Sequence, residues 1–395
     1  MKQGETIRGS FDPDRVRFIQ EAIPAKPRDT QKTMGYFIVP QGRRLVEYEQ
    51  LTAYAQHGSD WAGGGLETGD YMQKHAGGRG AFANETTEMI TRDWYKFRDP
   101  NRAWYYPYIK EKSEDGRTAT RFFQTASAEG RVRDIDREWL PFLEVDLGVV
   151  TFYEYGLFNA HSSAAKDALS DLTRNWLCFA AFHKDDSAQM PQYERVFLAK
   201  QIEGFSAELD RPKSVWTKSA IYAPIREAVE QVWGDTYDWV EILWAAHGVI
   251  DPIVGQFLRR EFWQGEAPLY GDSITPWVIN QAIGYHEYAK AGVRELFDRC
   301  LANDIEFGHH NRAVLNAWTA KWLPKALAGL QGFLRIYEHL PNSSARTGAS
   351  VERRVRRVIG DWAEDFPCIS GYSCSVDGAV EEVMKGLPEI YWKSL

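Results

Sequence analysis

From about Val150 onward, apolar side chains recur three and four residues apart. Leu169, Leu172, Trp176, Phe179 and Phe182 form one stripe, and Ile225, Val229, Val232, Trp233, Val240, Leu243 and Trp244 form the next. Val278, Ala282, Tyr285, Ala289, Val293 and Leu296 repeat the spacing, as do Leu315, Trp318, Trp322, Leu330, Leu334 and Tyr337. Val355, Val358, Trp362 and Phe366 mark a later stretch. This period is that of a buried helix face. Short Gly-, Asp- and Pro-containing loops separate the runs, for example Gly271-Asp272 before Thr275-Pro276. Strand-type alternation is scarce. The pattern predicts an all-α protein with helices of about 20 residues packed as a bundle.

Residues 1–145 have a different texture. Pro13, Pro24, Pro27, Pro40, Pro100, Pro107 and Pro141 interrupt helix formation, and glycines cluster at Gly63–Gly65, Gly69, Gly77, Gly78 and Gly80. The same segment is rich in Trp, Tyr and Phe, so its apolar rings need something to pack against. It reads as an extended arm, with short helices around Asp14–Ala22 and Arg43–Ala55, that wraps another body. The domain division is therefore 1–145 for the arm and 146–395 for the helical bundle.

The composition excludes several classes. Of 395 residues 44% are hydrophobic and the net charge is −8, which permits a large core and gives no electrostatic footprint for nucleic acid. Arg353, Arg354, Arg356 and Arg357 alternate with valines and read as the solvated face of a helix. The four cysteines, Cys178, Cys300, Cys368 and Cys374, form no C-x-x-C pair, so neither a zinc nor a thioredoxin-type site is spelled. Cys178 lies in an apolar run and reads as core. There is no secretory h-region, and no stretch nears the roughly 18 apolar residues of a membrane helix. Together these features predict a cytoplasmic protein with reduced thiols.

A long-helix bundle prompts a test for a carboxylate-bridged di-iron centre. That site takes a lone Glu from each of two helices and Glu-x-x-His from each of two others, because i, i+3 spacing puts both ligands on one face. Only Glu306-Phe307-Gly308-His309 has the spelling, and it sits in a turn. His161, His183, His247 and His286 lie in the core runs without a Glu three residues earlier, and read as hydrogen-bonded buried or interface histidines. No nucleophile elbow, phosphate loop or dinucleotide fingerprint occurs. The 15 tryptophans leave a carbohydrate-active enzyme with two facing carboxylates as a competing class. The residues thus favour a structural or interaction subunit with no catalytic, cofactor-binding or metal residues of its own.

Longer strings carry a resemblance. They include Met34-Gly35-Tyr36-Phe37, Asp60-Trp61, Gly77-Gly78-Arg79, Asn84 through Glu88, Glu154 through Ser162, Phe197 through Lys200, Arg259 through Phe262 and Asn316 through Thr319. Over nearly the whole chain the sequence resembles the β subunits of soluble methane and alkane monooxygenase hydroxylases. The resemblance implies a ferritin-like fold without metal ligands. His183 and Asp186, and His286 and Ala289, would stand where the catalytic subunit carries its Glu and His pairs. It also implies an α2β2γ2 assembly with α and γ partners, on which a regulatory protein and a flavin/iron–sulfur reductase dock. The di-iron centre, fed by O2 and NADH, would belong to the partner α subunit. The alternative is an independent di-iron oxygenase with its own metal site. The resemblance does not single out methane, propane or butane as substrate.

Overall fold

The computed structural model describes Tyr48 and residues 87–91, 94–168, 170–341 and 351–387. Among these residues there is no strand, and the elements are helices joined by short turns. The helices expected around Asp14–Ala22 and Arg43–Ala55 lie outside the described residues, except that Tyr48 is helical. No described helix is long and apolar enough to cross a membrane.

Four long helices form the centre: α2 (Asp146–Asp167), α3 (Asp171–Gln201), α6 (residues 239–266) and α7 (Thr275–Val293, continuing to 302). Before them comes α1 (Tyr105–Glu129). Two shorter helices, α4 (Asp210–Lys218) and α5 (Ala223–Glu230), lead from α3 to α6. Next, α8 (Gly308–Leu334) crosses the bundle, and α9 (Val351–Asp365) and α10 (Val376–Met384) close the described chain.

Local chemistry explains where the central helices start. The Ser170 hydroxyl accepts from the Thr173 amide at the head of α3, and the Asp238 carboxylate accepts from the Val240 and Glu241 amides at the head of α6. Pro276 fills the first turn of α7, where a missing N–H costs nothing. Inside α6, residues 244–255 and 257–263 widen into π-helical turns around Pro252. Proline at 252 has no N–H to close an α-helical turn, and the helix widens around it. The Gly248 carbonyl accepts from Trp362 Nε1 at 2.7 Å, which fastens α9 to α6.

Most of the predicted stripe residues line one core, with Trp176, Trp239, Trp244, Trp322 and Trp362 all buried in it, while Leu169 lies outside the described residues. Four details differ from the sequence pattern. Trp233, placed on the stripe that leads to α6, is 42% exposed. Phe182, placed on the buried stripe of α3, is 48% exposed, because it lies beside Tyr108 of α1 at the rim of the bundle. Cys178, read as core, is only half-buried. Arg354, read as solvated, is buried: its guanidinium donates to Glu266 at 2.5 Å and to the Glu261 carbonyl at 2.6 Å, whereas Arg353, Arg356 and Arg357 are exposed as expected.

Where the proline pattern suggested extended backbone, residues 105–129 form the 25-residue α1. Pro107 falls in its first turn, where proline is tolerated, and only Tyr108, Ala119, Phe123 and Ala126 are buried. A stripe that narrow is hard to see in a sequence.

Candidate functional site

Each of the four central helices sends a polar side chain to one sealed point. From α2 come Tyr153 and Glu154, from α3 Lys184, from α6 Asp251 and Arg259, and from α7 His286. In the strings Val149–Leu157 and Val249–Gly255, Glu154 and Asp251 are the lone charges among apolar residues.

Lys184 Nζ is 2.9 Å from Glu154 Oε2 and 3.0 Å from Asp251 Oδ1. Arg259 Nε donates to Glu154 Oε1 at 2.9 Å, and its terminal nitrogens reach Asp251. Tyr153 donates to Asp251 Oδ1 at 3.1 Å, and His286 Nδ1 is 3.1 Å from Asp251 Oδ2. Two carboxylates thus face two permanent cations, and the cluster is neutral as a whole. Burial alone would raise the Asp251 carboxyl, but the Arg259 guanidinium and Lys184 ammonium overturn that and hold it well below the usual carboxylate range. Burial likewise works against the Arg259 charge, and Asp251 and Glu154 override it. Burial lowers His286, so the ring is neutral at pH 7 and its Nδ1–H is the donor to the Asp251 carboxylate.

Gly255 makes room for this arrangement. A Cβ there would overlap Asp251 Oδ1 and come within 2.8 Å of Arg259 Nη2. Any side chain would therefore intrude on the contact between those two residues.

A second polar layer lies alongside. His161 Nδ1 meets the Leu157 carbonyl at 2.6 Å, so that nitrogen carries the proton and Nε2 is left with a lone pair. His247 Nε2 makes a close contact with that Nε2 and supplies the hydrogen. His247 Nδ1 then has no proton, and no described group donates to it. Burial lowers His161 to about 4 and His247 well below its ordinary value, so both rings are neutral.

The other candidates lie apart. His183 stacks on Tyr285 with ring centroids 4.2 Å apart, and burial followed by the Lys112 charge lowers it to about 3. Asp186 sits at the half-buried edge, where it accepts from Tyr285 at 2.8 Å and pairs with Lys112 at 3.0 Å. At the position expected for His183 and Asp186 it is Lys184 that enters the centre. Ala289, one turn beyond His286, is buried and apolar. Glu306 and His309 are exposed around the start of α8, with the Glu306 amide capped by Asp304 at 2.9 Å. Among the described residues they belong to no group of three acid, His or Cys side chains that could hold a metal.

This donor set does not fit a di-iron centre. Glu154 and Asp251 stand on two helices as the lone carboxylates of such a site do. The remaining two central helices give Lys184 and His286 instead of two Glu and His pairs, and the ammonium occupies the space between the carboxylates. Among the described residues no three acid, His or Cys groups converge on one point as metal ligands.

The fold and cluster define a class: a long-helix bundle in which side-chain cations stand between its inward carboxylates. Residues 72–304 match the profile of the methane/phenol/alkene hydroxylase family. The chain is 44% identical to the methane monooxygenase component A beta chain of Methylococcus capsulatus, over 97% of this chain and 99% of that one. It is also 44% identical to the corresponding chain of Methylosinus trichosporium, covering 96% and 97% of the two chains. Identity to the small hydroxylase subunit of propane 2-monooxygenase from Gordonia sp. is 26%, over 85% and 90%. The fold superposes on phenol hydroxylase from Pseudomonas sp. OX1 with a TM-score of 0.62 at 15% identity, covering 91% of this chain and 97% of that one. The chain belongs to the methane, phenol and alkene hydroxylase family, among its β chains.

Proposed function

We propose that this chain is a non-catalytic scaffold subunit of a soluble alkane monooxygenase hydroxylase. In this reading it holds no metal, and oxidation of an alkane to an alcohol with O2 and NADH takes place at a di-iron centre in a partner α subunit. The complex is α2β2γ2, located in the cytoplasm, and receives a regulatory protein and a flavin/iron–sulfur reductase. Residues 1–145 wrap neighbouring subunits. The observation that carries the reading is the pair of cations, Lys184 and Arg259, standing between Glu154 and Asp251. A divalent ion placed there would meet two positive charges already paired with its ligands. The relatives are named as chains of multi-component monooxygenases, which supports the subunit role.

Exposed apolar residues supply a second support. Tyr105 is 71% exposed and Tyr106 64%, with Ile109, Tyr155 and Phe182 also in solvent. Rings of this size in water mark a surface that a partner covers. Obligate subunit interfaces bury upward of about 2,000 Å².

The test is to purify the chain alone and together with its α and γ partners, measuring mass and iron. The expected result is an iron-free, aggregation-prone lone chain, and an α2β2γ2-sized particle whose iron is accounted for by α. A stable lone monomer carrying stoichiometric iron would overturn the proposal.

A further inference from the structure

Away from the ion cluster, a second buried acid sits in an arrangement that one hydrogen atom cannot satisfy. Glu194 of α3 is fully buried. Its Oε1 is 2.7 Å from Thr275 Oγ1 at the head of α7, and the same hydroxyl is 2.6 Å from Asp272 Oδ2. Thr275 has one hydroxyl hydrogen for two carboxyl groups.

Asp272 determines where that hydrogen goes. Its Oδ1 accepts from the Ile274 amide at 2.9 Å and the Thr275 amide at 3.0 Å. Its Oδ2 accepts from Trp139 Nε1 at 3.1 Å, which leaves one lone pair for the Thr275 hydroxyl. With donors on every lone pair Asp272 has no place for a proton, so it is the carboxylate and takes the Thr275 hydrogen. The Glu194–Thr275 contact then needs a hydrogen from Glu194. Independently, Glu194 Oε2 is buried and no described group donates to it. A carboxylate oxygen left bare in the interior is very costly, whereas the carbonyl oxygen of a neutral acid is far less so.

We infer that Glu194 is a neutral carboxylic acid in the folded protein at pH 7, donating to Thr275, which donates to Asp272, so that one stored proton joins α3 to the start of α7. Burial, with the Asp272 charge next, acts in the same direction on Glu194. Among the described residues Asp272 is the charged group that acts on it. The joint is pH-sensitive by construction. Folding takes up one proton wherever the unfolded Glu is ionised and the folded one is not. This contribution to stability is therefore greatest near pH 4 and declines as pH rises from there to the folded pKa of Glu194.

Infrared spectroscopy of the full chain, alone or in its complex, at pH 7 tests this without relying on a variant that folds. The protonated-carboxyl C=O stretch lies apart from the carboxylate bands, and uniform 13C labelling of glutamate moves it only if a glutamic acid carries the proton. The expected result is a label-sensitive carboxylic-acid band that is missing in Glu194→Gln. The absence of any glutamate-sensitive acid band at pH 7 overturns the inference. As a second readout, the unfolding constants of wild type and E194Q should diverge by up to tenfold per pH unit between pH 5 and 7, with wild type the one that weakens. Parallel pH curves, or an Asp272→Asn variant more stable than E194Q, would place the proton elsewhere and also overturn it.

Discussion

Lys184 Nζ lies 2.9 Å from Glu154 Oε2, and both side chains are all but sealed from water. The pair spans α2 and α3, the first two helices of the central four. Its strength comes from the same seal that makes it vulnerable, because a charge left alone in that interior has nowhere to find solvent.

Replacing Lys184 with Met leaves two carboxylates and one guanidinium. The expected loss is about 3–5 kcal/mol, the scale for breaking a buried pair. Adding Glu154→Gln restores neutrality and should recover more than half of it. Urea unfolding of the wild type, both single variants and the double variant measures the coupling, and additive losses would show that the charges act independently.

Gly255→Ala isolates geometry from charge. In an exposed helix this change stabilises by about 1 kcal/mol. Here the added methyl overlaps Asp251 and presses on Arg259, so the expected result is a loss of about 1–3 kcal/mol. A more stable variant in thermal unfolding would mean that Asp251 and Arg259 are not held as described.

The buried histidines set the response to acid. Folded His161 and His183 are lowered to about 4 and about 3, below the roughly 6.5 of an unfolded histidine. A depressed histidine contributes stability that is complete above pH 6.5 and is lost as pH falls toward the folded value. Asp146 and Asp238, raised by burial to about 6 and about 7, act in the opposite sense over part of that window. The net stability curve is therefore a difference, and histidine NMR is the direct readout. The ring resonances of His161 and His183 should not titrate above about pH 5, and titration near 6.5 would contradict their burial.

Trp362→Phe keeps an aromatic ring but removes the indole N–H that donates to the Gly248 carbonyl, along with part of the buried ring. Losing that hydrogen bond and the buried ring volume costs about 1–3 kcal/mol. Hydrogen exchange should accelerate in α9 before it does in α2. Uniform acceleration would indicate a global effect instead of a local tether.

The bundle was legible because burial on long helices repeats every three to four residues, and the runs around Trp244, Val293, Trp322 and Val358 are indeed buried. α1 was not, because it buries so few side chains that its charged surface dominates the pattern. Of the site, the absence of paired Glu-x-x-His spellings was readable. The residues that occupy the centre were not, since Lys184 stands beside the more conspicuous His183, and Arg259 sits in an Arg-Arg-Glu string that looks like surface. The available signal was a single charge inside an apolar run, as at Glu154 and Asp251. Only the fold reveals that these charges, eighty and more residues apart in places, neutralise one another.

The way each cation answers both carboxylates has an evolutionary consequence. Losing Lys184 or losing Arg259 leaves an uncompensated negative charge in the core, and losing Glu154 or Asp251 leaves a positive one. Every single loss of charge from the cluster lowers stability, while coordinated pairs of changes need not. Drift at these four positions should therefore occur in matched steps, and an exchange of one charge between diverging lineages should be accompanied by its counterpart on another helix.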